Sequence, residues 1–200
     1  MSQYKLLVAA PLAGGLALLA ACSSSSSTPT TTPTPSPTST ATASASPSIS
    51  NNVAMNLSLT EIELPSNPSG PLSQVSDGLL GGKTNTDQRV FANADHSLAI
   101  EADLIVETTS AGVTSDYPPI RDAAKGRVTT LSASSSPSIG DHADEYVGTT
   151  TDGKNIVAIA FSRALTVDVV LVETGAGTTL DPSYVEAVAG AMDSKIQSHA

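Results

Sequence analysis

Cysteine and aromatic residues are scarce in this chain: its 200 residues include one Cys, no Trp, two Phe and four Tyr. A single cysteine cannot form an intramolecular disulfide, so a folded domain must be held together by packing alone. That packing has to come mainly from aliphatic side chains. Basic residues are also few, with nine Lys and Arg against nineteen Asp and Glu and a net charge of −10. This charge excludes electrostatic binding to nucleic acid or to anionic lipid.

Residues 1–22 carry the features of a secretory signal in the usual order. Lys5 supplies one positive charge, Leu6–Leu18 is mostly apolar, and small residues lead up to Cys22. The apolar segment is interrupted by proline and glycine and is shorter than the roughly 20 residues that a transmembrane helix needs. We therefore predict a signal peptide over residues 1–21 that is cleaved from the mature protein.

The run Leu19-Ala20-Ala21-Cys22 resembles the lipobox of bacterial lipoproteins. The resemblance implies cleavage between Ala21 and Cys22, and a diacylglyceryl group, with acyl chains such as palmitate, on the Cys22 thiol. Two acyl chains hold a protein stably to a bilayer, at about 0.8 kcal/mol for each buried methylene. The expected location is extracytoplasmic, with the cell membrane as a partner through the lipid on Cys22. The alternative is an ordinary signal peptide whose removal leaves Cys22 as a free thiol.

Residues 22–52 contain the predicted lipidated cysteine followed by a segment composed almost entirely of Ser, Thr, Pro and Ala. This segment has no charged or aromatic residue up to position 50, so it cannot bury enough apolar surface to offset the entropy of ordering. We predict a disordered tether that spans about 30 Å as a flexible coil. In composition, the tether and the aliphatic region that follows are similar to those of secreted actinobacterial lipoproteins.

Residues 53–200 have the length of one ordinary domain and contain a partial repeat. Residues 104–108 read Leu-Ile-Val-Glu-Thr and residues 170–174 read Val-Leu-Val-Glu-Thr, and an Ala-Gly pair follows each. We interpret the repeat as internal duplication of a β-β-α unit, with related halves at about 88–131 and 140–198. Chance similarity between stretches rich in Val, Ala, Thr and Glu is the alternative.

The periodicity of apolar residues predicts the elements of both halves. Alternation over 98–106 and 165–171 is typical of strands with one buried face, and helical spacing follows at 120–131 and 185–196. Asp181 and Pro182 suit the N-cap and first position of the second helix. Further strands are predicted at 56–64, 89–92, 144–149 and 155–161, the last of them central. The predicted fold class is α+β, an antiparallel sheet with two helices on one face.

The segment Asp141-His142-Ala143-Asp144-Glu145 concentrates groups that can bind metal. His142 and Glu145, three residues apart, would meet on a helical turn, and Asp144 lies between them. A zinc site needs three or four such ligands, and His96, in a predicted hairpin turn, could converge on the same edge of the sheet. The alternative is an acidic turn exposed to solvent.

Motifs for other chemistry are weak. Gly82-Lys83-Thr84 resembles the end of a phosphate-binding loop, but Asp77 stands where that motif needs its first glycine. The strand carboxylates of Glu101, Asp103 and Asp168 are expected on a solvated face. We predict no cofactor.

The sequence therefore predicts a lipid-anchored cell-envelope protein whose extracytoplasmic domain is non-catalytic. The expected partner of the domain is a small ligand or an envelope protein, and nucleic acid is not expected to bind. One alternative is a metal-dependent hydrolase centred on Asp141–Glu145. Another is a structural spacer without a ligand.

Overall fold

The computed structural model describes residues 51–67 and 69–199. The predicted signal peptide, Cys22 and the tether up to residue 50 lie outside the described residues. The elements of the described part, in chain order, are α1 (Asn51–Leu57), β1 (Ser73–Gly78), β2 (Thr86–Ala92), β3 (Leu98–Val106), α2 (Ser110–Arg127), β4 (Thr130–Ser135), β5 (His142–Thr149), β6 (Asn155–Arg163), β7 (Thr166–Thr174) and α3 (Pro182–Gln197).

The strands of the described residues form one seven-stranded antiparallel sheet in the order β1-β2-β3-β7-β6-β5-β4. The first three strands form one meander, and α2 then leads across one face of the sheet to its far edge. Strands β4 to β7 return as a second meander that ends beside β3. The sheet with its packed helices confirms the predicted α+β class.

The two central strands, β6 and β7, are apolar on both faces, and β6 is buried at all positions except its first and last residues. One face of the sheet packs against α3 and α1, and the other packs against α2. The side chains that fill the α3 face include those of Phe91, Phe161, Val188, Met192 and Ile196. The α2 face is built from smaller groups, among them Ala124, Ala158, Ala160 and Val169.

The positions of the helices differ from the predicted arrangement, in which α2 and α3 shared one face. In the structure they lie on opposite faces of the sheet. The physical reason is the composition of β6 and β7. Because these strands carry apolar side chains on both faces, each face needs a covering helix to remove those side chains from water.

The strand predicted at 56–64 is wrong, because α1 continues to Leu57 and a single 3-10 turn occupies Glu61–Glu63. The backbone N–H of Thr60 donates to Glu63 Oε2 at 2.8 Å, which favours the turn over an extended chain. Arg89 on β2 fixes the preceding segment, since its guanidinium donates to the carbonyl oxygens of Leu59 at 2.7 Å and Met55 at 2.8 Å. These bonds satisfy carbonyl groups that the end of a helix leaves free.

Helix α2 begins at Ser110, ten residues before its predicted start, and ends at Arg127. Thr109 caps it, since its hydroxyl accepts the N–H of Gly112 at 3.1 Å. Pro118 and Pro119 lie inside the helix, where proline removes backbone donors and usually ends or kinks a helix. Both prolines lie on the exposed side, where water can satisfy the carbonyl groups that lose their intrahelical donors. The predicted C-terminal part of this helix, residues 130 and 131, belongs instead to β4.

The repeat in the sequence relates strands β3 and β7, which pair with each other at the centre of the sheet. Asp103 of β3 pairs with Val169 of β7, and these residues are separated by the same interval as the repeat. A local twofold axis through this pair therefore relates the two strands. The similarity between the two halves is confined to these strands. Five residues, 93–97, connect β2 to β3, whereas only residues 164–165 connect β6 to β7. The helices that follow also differ, because they cover opposite faces of the sheet.

Two strand carboxylates that were expected on a solvated face are withdrawn from water. Asp168 is fully buried on the α3 face, and burial raises its pKa well above the ordinary value. The Thr166 hydroxyl lies 2.6 Å from Asp168 Oδ2 and 3.0 Å from the carbonyl oxygen of Arg163. One hydroxyl proton cannot serve two acceptors. The Thr166 hydroxyl therefore donates to one of these oxygens at a time, and burial favours the protonated form of Asp168. Asp103 is the second such carboxylate and is partly buried on the α2 face.

Candidate functional site

The segment 141–145, which the sequence marked as a possible metal site, lies at the start of β5 and in the residue before it. Successive side chains of a strand point to opposite faces. His142 and Asp144 therefore lie on the α2 face, whereas Glu145 lies on the α3 face, where it is 5% exposed and accepts from the Ser135 hydroxyl at 2.8 Å. The prediction that His142 and Glu145 meet on a helical turn is wrong.

The other groups of the predicted site are also placed apart. Asp141 is engaged by Arg163, with Nη1 at 3.0 Å from Oδ1, and accepts the backbone N–H of Ala164 at 2.9 Å. His96 lies in the β2–β3 turn, at the opposite end of the strands from His142, so the two do not converge. In the part of the chain that the structure describes, no group of three or more His, Cys, Asp and Glu side chains could hold a metal ion.

A cleft of about 980 Å³ opens beside this segment, between the N-terminal half of α2 and the start of β5. It forms because α2 packs mainly on β6 and β7 and leaves the beginning of β5 uncovered. Residues 136–141, which join β4 to β5, make the opposite wall. We call this site the α2–β5 cleft. Its polar lining groups include Ser110, Thr114, Tyr117, Arg121, Ser138, Asp141, His142, Asp144 and Ser162.

Tyr117 and Asp144 form the central polar contact of the α2–β5 cleft. The phenol oxygen of Tyr117 lies 2.8 Å from Asp144 Oδ2 and 3.3 Å from the carbonyl oxygen of Ala160. Burial, followed by the hydrogen bond to Asp144, raises the pKa of Tyr117 far above its ordinary value. The phenol therefore stays protonated and donates to Asp144. The His142 ring lies beside it, with its centroid 6.2 Å from that of Tyr117.

The helical wall of the cleft contains an interrupted turn. Pro118 has no backbone N–H, so the carbonyl oxygen of Thr114 lacks the donor that a regular helix provides four residues later. Thr114 and Pro118 both line the cleft. Arg121, one turn further along, brings a positive charge to the same wall and pairs with Asp122 at 2.8 Å. This wall therefore offers a ligand both a backbone acceptor and a cationic donor.

The rim of the cleft is connected to α3 by an ion-pair network around Arg163. The Arg163 guanidinium contacts Asp193 through two bonds, with Nε–Oδ1 at 2.6 Å and Nη2–Oδ2 at 2.8 Å, in addition to its bond to Asp141. Hydrogen bonding to Arg163 lowers the pKa of Asp193 and keeps it ionised. The adjoining turn residue, Ala164, has φ of 52°, a strained conformation for a residue with a side chain. The network thus holds a strained turn at the edge of the cleft.

The α2–β5 cleft has a mixed polar and apolar lining. It combines hydroxyl groups, one hydrogen-bonded carboxylate and a guanidinium with apolar surface from Val113, Pro118 and Ile139. Such a mixture suits a polar ligand or an extended peptide. Sequence reasoning found Asp141, His142 and Asp144, whereas it missed Tyr117 and Arg121 as members of one site. The signal that could have found them is Thr109, an N-cap residue at the start of the helix that carries both.

Comparisons with known proteins supply no name for this site. No protein-family model, no curated protein and no solved structure matches the chain. Within the described residues, no helix is both long and apolar enough to cross a bilayer.

Proposed function

We propose that this chain is a lipid-anchored cell-envelope protein whose extracytoplasmic domain binds a small ligand or an envelope protein in the α2–β5 cleft. The observation that carries the binding proposal is the cleft itself. Its volume of about 980 Å³ lies at the upper end of the range of roughly 300 to 1,000 Å³ for ligand pockets. Its polar groups surround one hydrogen-bonded pair, Tyr117 and Asp144. The anchoring proposal is supported by the lipobox-like run that ends at Cys22.

Anchoring is tested by fractionation and mass spectrometry of the protein from its native cell. We expect the wild-type chain in the membrane fraction, beginning at Cys22 and carrying a diacylglyceryl mass on that residue. Cys22→Ser should prevent lipidation, whereas Ser23→Ala, its matched control, should not. An unmodified Cys22, or unchanged fractionation of Cys22→Ser, contradicts the anchor.

Ligand binding in the cleft is tested by photo-crosslinking in the native cell. A benzophenone amino acid replaces Thr114, which is exposed on the cleft wall, and in a matched control replaces Glu186, which is exposed on α3 at the other face. We expect an adduct from position 114 alone, and we expect Arg121→Ala and Asp144→Asn to diminish it. Mass spectrometry then distinguishes a small molecule from a protein. Equal labelling from both positions, or none from position 114, contradicts the proposal and favours a structural spacer.

A domain that binds its ligand without a metal ion should have a stability that does not depend on metals. Because His142 and Glu145 face opposite sides of the sheet, zinc or calcium should not raise the unfolding temperature of the protein, and a chelator should not lower it. Stabilisation by zinc that disappears in a His142→Ala, Glu145→Ala double variant would support the hydrolase instead.

A further inference from the structure

A second cavity, of about 200 Å³, lies beside the C-terminal half of α2, above β3 and β7 at the centre of the sheet. It shares no lining residue with the α2–β5 cleft. Among the described residues, only two charged side chains line it, those of Asp103 and Arg127. We call it the Asp103 cavity. Its remaining walls are aliphatic and consist of Leu80, Ile105, Ile120, Ala123, Ala124, Val167, Val169 and Leu171.

The Asp103 cavity results from the small residues that α2 presents to the sheet. Because α2 packs on β6 and β7 and hardly contacts β3, the side of the helix that carries Ala123 and Ala124 leaves the space above Asp103 and Val169 open. The opposite face of the same strands is filled by larger side chains such as Phe161 and Met192. Protein interiors leave few voids larger than a water molecule. An enclosed aliphatic cavity of about 150 Å³ accepts benzene, so this cavity, which is partly open to solvent, has room for one ring-sized molecule.

Asp103 forms no ion pair with Arg127, the cationic residue that also lines this cavity. Its Oδ1 accepts from Gln88 Nε2 at 2.9 Å, and the same amide donates to Glu101 Oε1 at 2.9 Å. No Lys or Arg of the described part of the chain forms an ion pair with Asp103. Arg127 pairs instead with Glu101 at 3.5 Å and Glu173 at 3.3 Å. The carboxylate therefore lies beside an aliphatic void and an acidic neighbour with only a neutral amide as its donor.

We propose that the Asp103 cavity binds a small primary ammonium compound with a ring-sized apolar body. The ammonium group would donate to the carboxylate of Asp103, and the apolar body would contact the aliphatic walls. Charge complementarity selects this class of ligand. A carboxylate ligand would face Asp103, and Arg127, the cationic residue at the wall, is already paired with Glu101 and Glu173, whereas a neutral ring would leave Asp103 without a counter-charge. The net charge of −10 also favours the approach of a cation.

The proposal is tested by calorimetric titration of the full chain at pH 8 with benzylamine and, for comparison, with benzyl alcohol, which has a similar shape without the charge. We expect benzylamine to bind more tightly than benzyl alcohol. Asp103→Asn should weaken benzylamine at least about tenfold and leave benzyl alcohol nearly unchanged. The matched control is Asp122→Asn, because Asp122 is an exposed carboxylate on α2 that does not line the cavity, and its side chain is 64% accessible. This control should bind benzylamine as the wild type does.

A second variant tests the location of the site. Ala124→Ile fills the cavity without altering Asp103, and it should abolish binding of both probes while circular dichroism reports a folded chain. Should this variant fail to fold, the Asp103→Asn titration decides alone. Equal benzylamine affinity in wild type and Asp103→Asn overturns the proposal. So does equal affinity for the two probes, an equal loss in Asp122→Asn, or the absence of benzylamine binding to the wild type.

Discussion

Asp103 should make the stability of this chain fall as the pH rises towards neutrality. Burial, and secondly the charge of Glu101, raise its pKa from the ordinary value of 3.8 to about 7. The folded state therefore holds this proton more tightly than the unfolded state does. A group of this kind contributes its full stability below about pH 4 and loses it progressively as the pH rises to about 7. Most carboxylates, whose folded-state pKa is lowered, act in the opposite direction.

The expected magnitude follows from the two pKa values. A difference between 3.8 and about 7, at about 1.4 kcal/mol for each pKa unit, gives about 4 kcal/mol in the free energy of unfolding above neutral pH. Asp103→Asn removes the ionisation but keeps an oxygen that can accept from Gln88. Because a buried amide costs about 1 to 2 kcal/mol itself, we expect a net gain of about 2 to 3 kcal/mol at pH 8. Near pH 4 the gain should vanish or change sign.

Urea unfolding followed by circular dichroism at pH 4.5, 6 and 8 measures this dependence. The exposed carboxylate of Asp122 provides a control, since Asp122→Asn should change the unfolding midpoint equally little at all three values. Each variant is compared with the wild type at the same pH, so the contribution of Asp168 cancels. A gain for Asp103→Asn that is no larger at pH 8 than at pH 4.5 would refute the reasoning.

Three further substitutions have directions that the structure determines. Asp168→Asn should raise the free energy of unfolding, and by more as the pH rises above 4, because burial raises the pKa of Asp168. An equal effect of this substitution at pH 3 and pH 8 would contradict the reasoning. Gly148→Ala should lower the free energy of unfolding, measured by urea denaturation, by more than about 2 kcal/mol, because its new Cβ would overlap the carbonyl oxygen of Thr130. Ala164→Gly should raise the unfolding free energy by about 0.5 to 1 kcal/mol by relieving a φ of 52°, and a destabilised variant would show that the turn is not strained.

Elements whose burial produces a simple pattern of apolar residues could be predicted from the sequence. The alternation over 98–106 corresponds to β3, and the uninterrupted apolar run of β6 was correctly interpreted as a central strand. Helix α3 begins at Pro182 with Asp181 as its N-cap, and the Asp181 side chain accepts the N–H of Ser183 at 3.0 Å. In these segments, local signals and tertiary burial favour the same structure.

The edge strands could not be predicted, because the pattern that reveals a strand is produced by burial of one face. Every residue of β1 and of β4 is exposed, so their sequences show no alternation. The start of helix α2 could not be predicted for another reason. Pro118 and Pro119 are residues that usually mark a helix boundary, but the cap at Thr109 and packing on the sheet stabilise a helix that continues through them.

The candidate site was predicted only in part because its members come from different elements. His142 and Asp144 were singled out by composition, but a helical spacing was assumed for a segment that pairs as a strand with β6. Tyr117 reaches Asp144 across an interval of 27 residues, and no local pattern reports that contact. The spacing of residues within one element could be analysed from the sequence, whereas contacts between α2 and β5 depend on how the helix crosses the sheet.

The two faces of the sheet differ in how tightly they are packed, and this difference explains where the two proposed binding sites lie. On the α3 face, large side chains such as Phe91, Phe161 and Met192 fill the space beneath the helices. On the α2 face, alanines and an incompletely covered β5 leave the Asp103 cavity and the α2–β5 cleft. A close-packed layer tolerates few changes in volume, whereas a loosely packed layer can accept a ligand without displacing the core. The opposite placement of α2 and α3 therefore puts both proposed binding sites on the α2 face, away from the closely packed α3 face.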